Sequence, residues 1–276
     1  MASPITLFIV EGEKRDVRLL NDLAKEFMPE SREIKTYTLS AAKNIYMLYE
    51  QLERDDFETD IVEILRESSN EAAKILEGLH RDDIDDIFLF FDFDPQHFKR
   101  EGTEDAAILI SGALEKMFVV FNNETEFGKL YVSYPMIEAL YDYKRDGPPC
   151  VAHSNCYLSL DDVSRYKTLT GENNPIASEH RPQWKEALDV FVSKVGCLFE
   201  RESLDFSEYR KLITPSAVYR EEMRLLVKNE MVFCLSSLPE FLLDYYREEF
   251  WIENIGMGNA PYTECEHRAD VFDSRT

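Results

Sequence analysis

Two apolar runs in the sequence end in acidic residues. Residues 5–10 are followed at once by Glu11, and residues 87–94 close on Asp92 and Asp94. Uninterrupted apolar runs of this length are typical of strands that are covered on both faces of a sheet. We therefore predict two buried parallel strands whose carboxyl ends bring these acidic side chains to one edge of the sheet.

Helical and strand patterns alternate through the first half of the chain. Strands that alternate with helices indicate a parallel sheet with right-handed crossovers, and ligands bind such sheets beyond the carboxyl ends of the strands. Besides the two apolar strands, the pattern predicts helices at 14–28 and 104–122, strands at 33–39 and 129–134, two helices within 41–79 that are interrupted near 57–59, a turn at 81–86, and a short helix opened by Pro135.

The pattern changes after residue 144. Residues 146–149 are rich in Gly and Pro and mark a break. The chain beyond predicts helices and no parallel strand, with helices at 159–169, 182–202, 205–212, 215–230 and 236–249.

The predicted fold class is therefore α/β. A parallel sheet flanked by helices occupies residues 1–143, with a helical insertion at about 41–79, and a mainly helical region follows at 144–255. Residues 256–276 show little periodicity and are expected to form a flexible tail.

Length and cysteine usage narrow the class of protein. The chain has 276 residues, 44% of them hydrophobic, and contains no uninterrupted apolar run of the roughly 18 residues that a membrane span needs. Its start shows no signal-peptide pattern, so we expect a cytoplasmic protein with no membrane partner. The five scattered cysteines are expected to be reduced thiols. Cys150, His153 and Cys156 are spaced for a metal, but zinc normally takes four ligands, so core or loop roles are preferred.

The charge balance bears on the ligand. The chain carries 54 acidic and 31 basic residues, a formal net charge of −23. A protein that binds nucleic acid unaided usually shows a basic surface. Three interpretations stay open: nucleic acid is not the ligand, a basic patch is local, or a partner contributes the positive charge.

The acids at the strand ends suit a divalent metal. Asp92 and Asp94 point in the same direction from a strand because side chains alternate with a period of two. Their hard oxygens suit Mg²⁺ or Mn²⁺. Glu11 arrives from a neighbouring strand end, and Gly12 allows a sharp turn and the close approach of a phosphate. Such a cluster can support in-line displacement at phosphorus. The alternative interpretation is that these acids are helix caps or loop residues.

Three common enzyme classes lack their motifs in this sequence. There is no Gly-x-x-x-x-Gly-Lys-Ser/Thr and no Gly-x-Gly-x-x-Gly at a strand–helix turn. Their absence argues against a P-loop nucleotidase and a dinucleotide dehydrogenase. There is no Gly-x-Ser-x-Gly either, which argues against an α/β-hydrolase.

A strand followed by Glu-Gly and a helix, and later a strand followed by Asp-x-Asp, resembles the Toprim domain of topoisomerases, primases and OLD-type nucleases. The details are most similar to small bacterial Toprim proteins of anti-phage defence, such as RloB-like proteins and the Toprim effector of the PARIS system. The resemblance rests on residues 11–14 (Glu-Gly-Glu-Lys) with Asp16, on Asp92 and Asp94, and on residues 133–138 (Ser-Tyr-Pro-Met-Ile-Glu). It covers roughly residues 5–143 and does not extend to the helical region.

The resemblance implies a role for each matched residue. It makes Glu11 a metal ligand or general acid/base, and Asp92 and Asp94 the Mg²⁺ ligands. It makes Glu138 a supporting acid, with Glu13 and Asp16 nearby.

Three basic residues near these acids have two interpretations each. Lys14 and Arg15 can meet a phosphate at the start of the first helix, or can be solvated surface charges. His97 is a candidate proton shuttle or an ordinary loop residue.

The function that the resemblance implies is a metal-dependent nuclease that cleaves DNA or RNA, possibly tRNA. Such a protein acts as a toxic effector in phage defence under the control of a partner ATPase, and a homodimer is plausible. The alternative is a non-catalytic binding or regulatory subunit, or a nucleic-acid mimic, in which the acids serve only as caps. A primase or nucleotidyl transferase is a third possibility, which the lack of a zinc module disfavours. The substrate, the trigger and the role of residues 144–276 stay open.

Overall fold

The computed structural model describes six stretches of the chain. For residues 104–111 it describes the backbone alone. The described residues are 3–39, 45–93, 104–144, 156–166, 183–201 and 203–256.

Strands and helices alternate through the first half of the chain, as the sequence predicts. The strands are β1 (Ile5–Val10), β2 (Glu33–Thr38), β3 (Asp86–Asp92), β4 (Asn122–Asn123), β5 (Gly128–Ser133), β6 (Tyr157–Ser159) and β7 (Met231–Phe233). The α-helices are α1 (Arg15–Phe27), α2 (Ile45–Arg54), α3 (Ile61–Ser68), α4 (Asn70–Ile75), α5 (Glu104–Val120), α6 (Trp184–Leu198), α7 (Phe206–Leu212), α8 (Pro215–Asn229), α9 (Ser237–Tyr245) and α10 (Glu248–Asn254). Short 3₁₀ helices cover Arg81–Asp83 and Ile137–Lys144.

The main sheet has five strands in the order β2-β1-β3-β5-β4. β1 pairs in parallel with both β2 and β3, whereas the two-residue β4 pairs antiparallel with β5. The prediction of an α/β fold with a mostly parallel sheet flanked by helices is confirmed. The antiparallel β4 was not predicted, because two asparagines give no strand pattern.

The apolar runs form strands because both of their faces are covered. Leu7, Phe8 and Ile9 of β1 are fully buried. Aromatic rings pack between neighbouring strands: Phe8 meets Phe90 edge-on at 5.6 Å, and Phe90 stacks on Tyr131 at 5.7 Å. These contacts fix β1, β3 and β5 side by side in the centre of the sheet.

The predicted interruption of the helical insertion is confirmed. α2 ends at Arg54, and Asp56 and Phe57 adopt positive φ angles of 53° and 61°. A left-handed backbone cannot continue a right-handed helix, so the chain turns there. Asp60 then caps α3 by accepting the N–H of Glu63 at 3.0 Å.

The chain divides into two compact units. Unit 1 comprises Met1–Phe91 and Leu109–Tyr131, and unit 2 comprises Asp92–Ile108 and Val132–Thr276. The sequence-based division into 1–143, 144–255 and 256–276 stays a prediction, and the proposed tail from 257 onward lies outside the described residues.

The helices of unit 2 begin at side-chain caps. Asp205 and Glu208 form a reciprocal capping box at α7, and Thr214 caps α8, whose first residue is Pro215. These signals explain why the predicted helices at 205–212 and 215–230 match the structure closely.

Two predictions for unit 2 are wrong. The predicted helix at 236–249 is two helices, because Tyr246 and Arg247 between α9 and α10 are extended. The predicted helix at 159–169 begins instead with β6, which pairs antiparallel with β7. Strands of three residues are too short to show alternation in a sequence.

No helix in the described part of the chain is both long and apolar enough to cross a membrane.

Gly128 should be irreplaceable at the start of β5. Its φ is +104°, and an added Cβ would lie 2.5 Å from Leu89 Cδ1 and 2.8 Å from Ile87 Cγ2. Gly78 also has a positive φ, +72°, but has open space around it. We expect Gly128→Ala to lower the free energy of unfolding by about 1–3 kcal/mol more than Gly78→Ala, since only the former adds overpacking to backbone strain. Urea unfolding measures the difference, and equal losses would refute the close contact.

Candidate functional site

The first acidic strand end lies in unit 1. Glu11 follows β1 directly and is exposed. The N–H of Gly12 donates to Asp16 Oδ2 at 2.9 Å, and a Cβ on Gly12 would lie 2.6 Å from the atoms of that carboxyl group. Asp16 therefore closes the turn between β1 and α1, a role that the sequence did not specify. Glycine at position 12 is what allows this approach.

The cations at the start of α1 are accessible. Lys14 and Glu13 are exposed, Arg15 is half-buried, and Lys14 occupies the N-cap position without a side-chain cap. The first N–H groups of a helix and its dipole attract anions. The arrangement can bind a phosphate, although solvated surface charge explains the same exposure.

The second acidic strand end lies in unit 2. Asp92 is half-buried, and its Oδ1 accepts the N–H of Ile137 at 2.8 Å. The next residue, Phe93, donates its N–H to the Ser133 carbonyl at 2.8 Å and is buried against Tyr134, with ring centroids 5.3 Å apart. Asp92 and Phe93 thus both contact the chain that follows β5.

Glu138 belongs to the segment that Asp92 contacts. It is the second residue of the 3₁₀ helix Ile137–Lys144 and is 2% exposed. The structure therefore brings Asp92 together with the start of the segment that carries Glu138. Both were selected from the sequence as candidate site residues.

Glu11 and Asp92 occupy corresponding places on neighbouring strands. Val10 of β1 pairs with Phe90 of β3. Glu11 lies one residue after this pair, and Asp92 lies two residues after it. Glu11 belongs to unit 1, whereas Asp92 and Glu138 belong to unit 2. Asp94 and His97 lie outside the described residues.

The candidate residues carry the oxygen ligands that magnesium binds, but those that the structure describes do not form a complete coordination shell. Within the part of the chain that the structure describes, no group of three or more His, Cys, Asp or Glu side chains is placed to hold a metal. Carboxylate oxygens at Asp92 and Glu11 are the ligand type that Mg²⁺ takes, and it often uses only one or two of them. One oxygen of Asp92 is already engaged by a backbone N–H.

The Cys-His-Cys spacing gains no support as a zinc site. Cys150 and His153 lie outside the described residues. Cys156 is buried, and its backbone carbonyl accepts the N–H of Cys234 at 2.7 Å. Its described contacts are those of a core residue.

A buried charged cluster in unit 2 was missed by the sequence reasoning. Lys194 Nζ donates to Asp142 Oδ2 at 2.5 Å and to the Cys234 carbonyl at 2.8 Å, and Tyr166 donates its hydroxyl to Asp142 Oδ1 at 2.8 Å. Burial lowers the pKa of Lys194, but the Asp142 carboxylate, Cys234 and Cys156 together outweigh this effect, and the net shift is upward. A lysine among buried positions of α6 was the available signal.

Glu222 is a second buried charge-bearing group near Lys194. It is 1% exposed; its Oε2 accepts the N–H of Phe233 at 2.9 Å, and its Oε1 has no hydrogen-bond partner among the described residues. Burial raises the pKa of Glu222 well above its ordinary value, although the Phe233 N–H and the Lys194 charge oppose this. The folded protein therefore favours the neutral acid at this position.

The fold and these strand ends define an α/β protein with acidic residues at the carboxyl ends of neighbouring parallel strands. No family model matches the chain, and no match was found to a curated protein or to a solved structure. The Toprim resemblance therefore stays a prediction from the sequence.

Glu222→Gln should make stability less dependent on pH. As pH rises above the ordinary value of 4.5, Glu222 ionises in the unfolded chain before it ionises in the folded one, so stability falls. Glutamine does not ionise and removes this loss. We expect the free energy of unfolding of the variant to rise relative to that of the wild type by up to about 1.4 kcal/mol for each pH unit above 4.5.

The measurement is the free energy of unfolding in urea from pH 4 to pH 8. Glu221→Gln is the matched control, because Glu221 pairs with Arg224 at the surface of the same helix. A difference between Glu222→Gln and wild type that stays constant with pH would contradict a protonated Glu222.

Proposed function

We propose that the protein is a Toprim-like nuclease that hydrolyses DNA or RNA phosphodiester bonds with Mg²⁺ or Mn²⁺. The observation that carries the proposal is the order of acids on the sheet: β1 and β3 are parallel neighbours, and Glu11 and Asp92 stand at their carboxyl ends. This edge is where ligands bind in parallel α/β sheets. The hydrogen bond from the Ile137 N–H to Asp92 connects the end of β3 to the segment that carries Glu138.

The proposed roles of the residues follow from the chemistry of their side chains. Glu11, Asp92 and Asp94 are the proposed ligands of a metal ion, which when bound offsets phosphate charge and activates water. Lys14 and Arg15, with the first N–H groups of α1, bind phosphate oxygens and orient the nucleic acid strand. Glu138, buried and next in sequence to the residue that binds Asp92, is the proposed supporting acid.

A chain with a net charge of −23 needs help to hold a polyanion. A partner with a basic surface, such as an ATPase that also controls the activity, meets this need, and a second copy of the chain is the other proposed partner. On this proposal the protein is a toxic effector of anti-phage defence whose acidic surface docks on the partner. Both DNA and RNA, including tRNA, are candidate substrates.

A second candidate function is a binding or regulatory subunit that cuts nothing. It is favoured by one specific observation: the carboxylates of Asp92 and Asp16 both accept backbone N–H groups, as structural caps do. The two candidates differ in what the charge of Asp92 does. A cap needs only an acceptor oxygen, whereas a metal ligand needs the negative charge.

Asp92→Asn separates the two candidates in a cleavage assay. Asparagine keeps an oxygen that can accept the Ile137 N–H but loses the charge. Plasmid DNA and total tRNA are incubated with the protein in Mg²⁺, Mn²⁺ or EDTA. We expect metal-dependent cutting by the wild type and a loss of about 10²-fold or more in Asp92→Asn and in Glu11→Gln.

The matched control is Asp82→Asn, which neutralises an exposed aspartate in the turn before β3 and should cut like the wild type. Cutting by Asp92→Asn at the wild-type rate would contradict the nuclease proposal. The absence of cutting by any form, even with the partner present, would favour the binding subunit.

A further inference from the structure

The 3₁₀ helix Ile137–Lys144 is long for its kind. It has eight residues, whereas the strained geometry of a 3₁₀ helix usually limits it to about 3–4. A segment of this kind needs contacts from outside to keep its position. It carries Glu138, and its first N–H binds the carboxylate of Asp92 at 2.8 Å.

The other end of this segment is held by a buried ion pair. Asp142 lies four residues beyond Glu138, and both of its carboxylate oxygens are engaged, one by Lys194 at 2.5 Å and one by the Tyr166 hydroxyl at 2.8 Å. The side chains of Lys194 and Asp142 are 2% and 1% exposed. Lys194 comes from α6, so a helix far along the chain fixes the segment at Asp142.

Lys194 also binds the stretch 234–237, which contacts the residues just before the 3₁₀ helix. Its ammonium group donates to the Cys234 carbonyl at 2.8 Å, and the next residue, Leu235, exchanges two backbone hydrogen bonds of 2.7 Å with Tyr134. Ser237 then donates its N–H to the Ser133 hydroxyl at 3.1 Å. Lys194 therefore connects the Asp142 end of the 3₁₀ helix to residues 234–237, which hydrogen-bond to Ser133 and Tyr134 just before that helix.

The ion pair is better suited to fixing geometry than to adding stability. Removing two charges from water is so unfavourable that apolar residues of similar volume often stabilise a core as well or better. A directional pair, in contrast, tolerates only a narrow range of positions for Asp142, because any displacement leaves buried charges unpaired.

We propose that Lys194 is a positioning residue: through Asp142 it holds the Ile137–Lys144 helix so that the N–H of Ile137, the residue before Glu138, meets Asp92. The identity of Asp92 and Glu138 as site residues rests on the proposed nuclease function, whereas the mechanical link does not. On this proposal the helical part of unit 2 is a support for the acidic site.

The test is hydrogen exchange on Asp142→Leu/Lys194→Met, a variant in which apolar side chains replace the buried ion pair. We expect amides of residues 137–144 to exchange about tenfold or more faster than in the wild type, while β1 and α10 exchange as before. The control is Lys185→Met, which removes an exposed lysine from the same helix. Exchange in 137–144 that is unchanged in the folded variant would overturn the proposal.

Tyr166→Phe keeps the test decisive if the double variant does not fold. It removes the hydroxyl bond to Asp142 and leaves the ion pair in place. We expect faster exchange confined to residues 137–144, by about threefold or more. Unchanged exchange there would count against the proposal.

A second readout separates this proposal from the nuclease proposal. Binding of Mn²⁺ alone to the folded double variant should weaken at least about tenfold if the segment supports Asp92. If the wild type binds no metal, the function proposal fails while the exchange data still decide the positioning role. If exchange is unchanged but the wild type binds metal and cuts, the positioning proposal fails alone.

Discussion

The hydrogen bond from the Ile137 N–H to Asp92 is the contact on which the candidate site depends. It joins the last residue of β3 to the first residue of the 3₁₀ helix that contains Glu138. It is therefore the described contact that connects Asp92 directly to the segment that carries the second acid. A charge-assisted bond to a half-buried carboxylate is also stronger than an ordinary backbone bond, so it can set the direction of the Asp92 side chain.

Long-range contacts in unit 2 keep this bond in place. The Ser133 carbonyl accepts the Phe93 N–H, Leu235 pairs with Tyr134, and Lys194 holds Asp142. Each of these partners comes from an element that lies far away in sequence. The helices after residue 183 thus contribute to the geometry around Asp92, in addition to forming their own core.

The central sheet could be predicted from the sequence because its signal is local. Residues 87–91 are apolar at every position, and residues 5–10 are apolar at every position except Thr6. Short apolar runs bounded by turn residues are typical of strands that are buried on both faces. The acids that end these strands could be found for the same reason. The helices with cap residues, such as the one that Thr214 and Pro215 start, were predicted to within a residue or two.

Other features could not be predicted, because they depend on residues that are distant in sequence. Lys194 and Asp142 are 52 positions apart, and no spacing rule links them. β6 and β7 have three residues each, which is too short for a pattern. Asp16 looked like a supporting acid, but its carboxyl group closes a turn on Gly12, which only the backbone geometry reveals.

The most direct test of the account is metal binding by Asp92. The account predicts that the wild-type protein binds Mn²⁺, detected by loss of the free-ion electron paramagnetic resonance signal, and that Mg²⁺ competes for the site. It also predicts that Asp92→Asn weakens this binding by about tenfold or more while the fold is kept. Equal Mn²⁺ affinity in the two proteins, or no binding by the wild type, would contradict a metal site at this strand end.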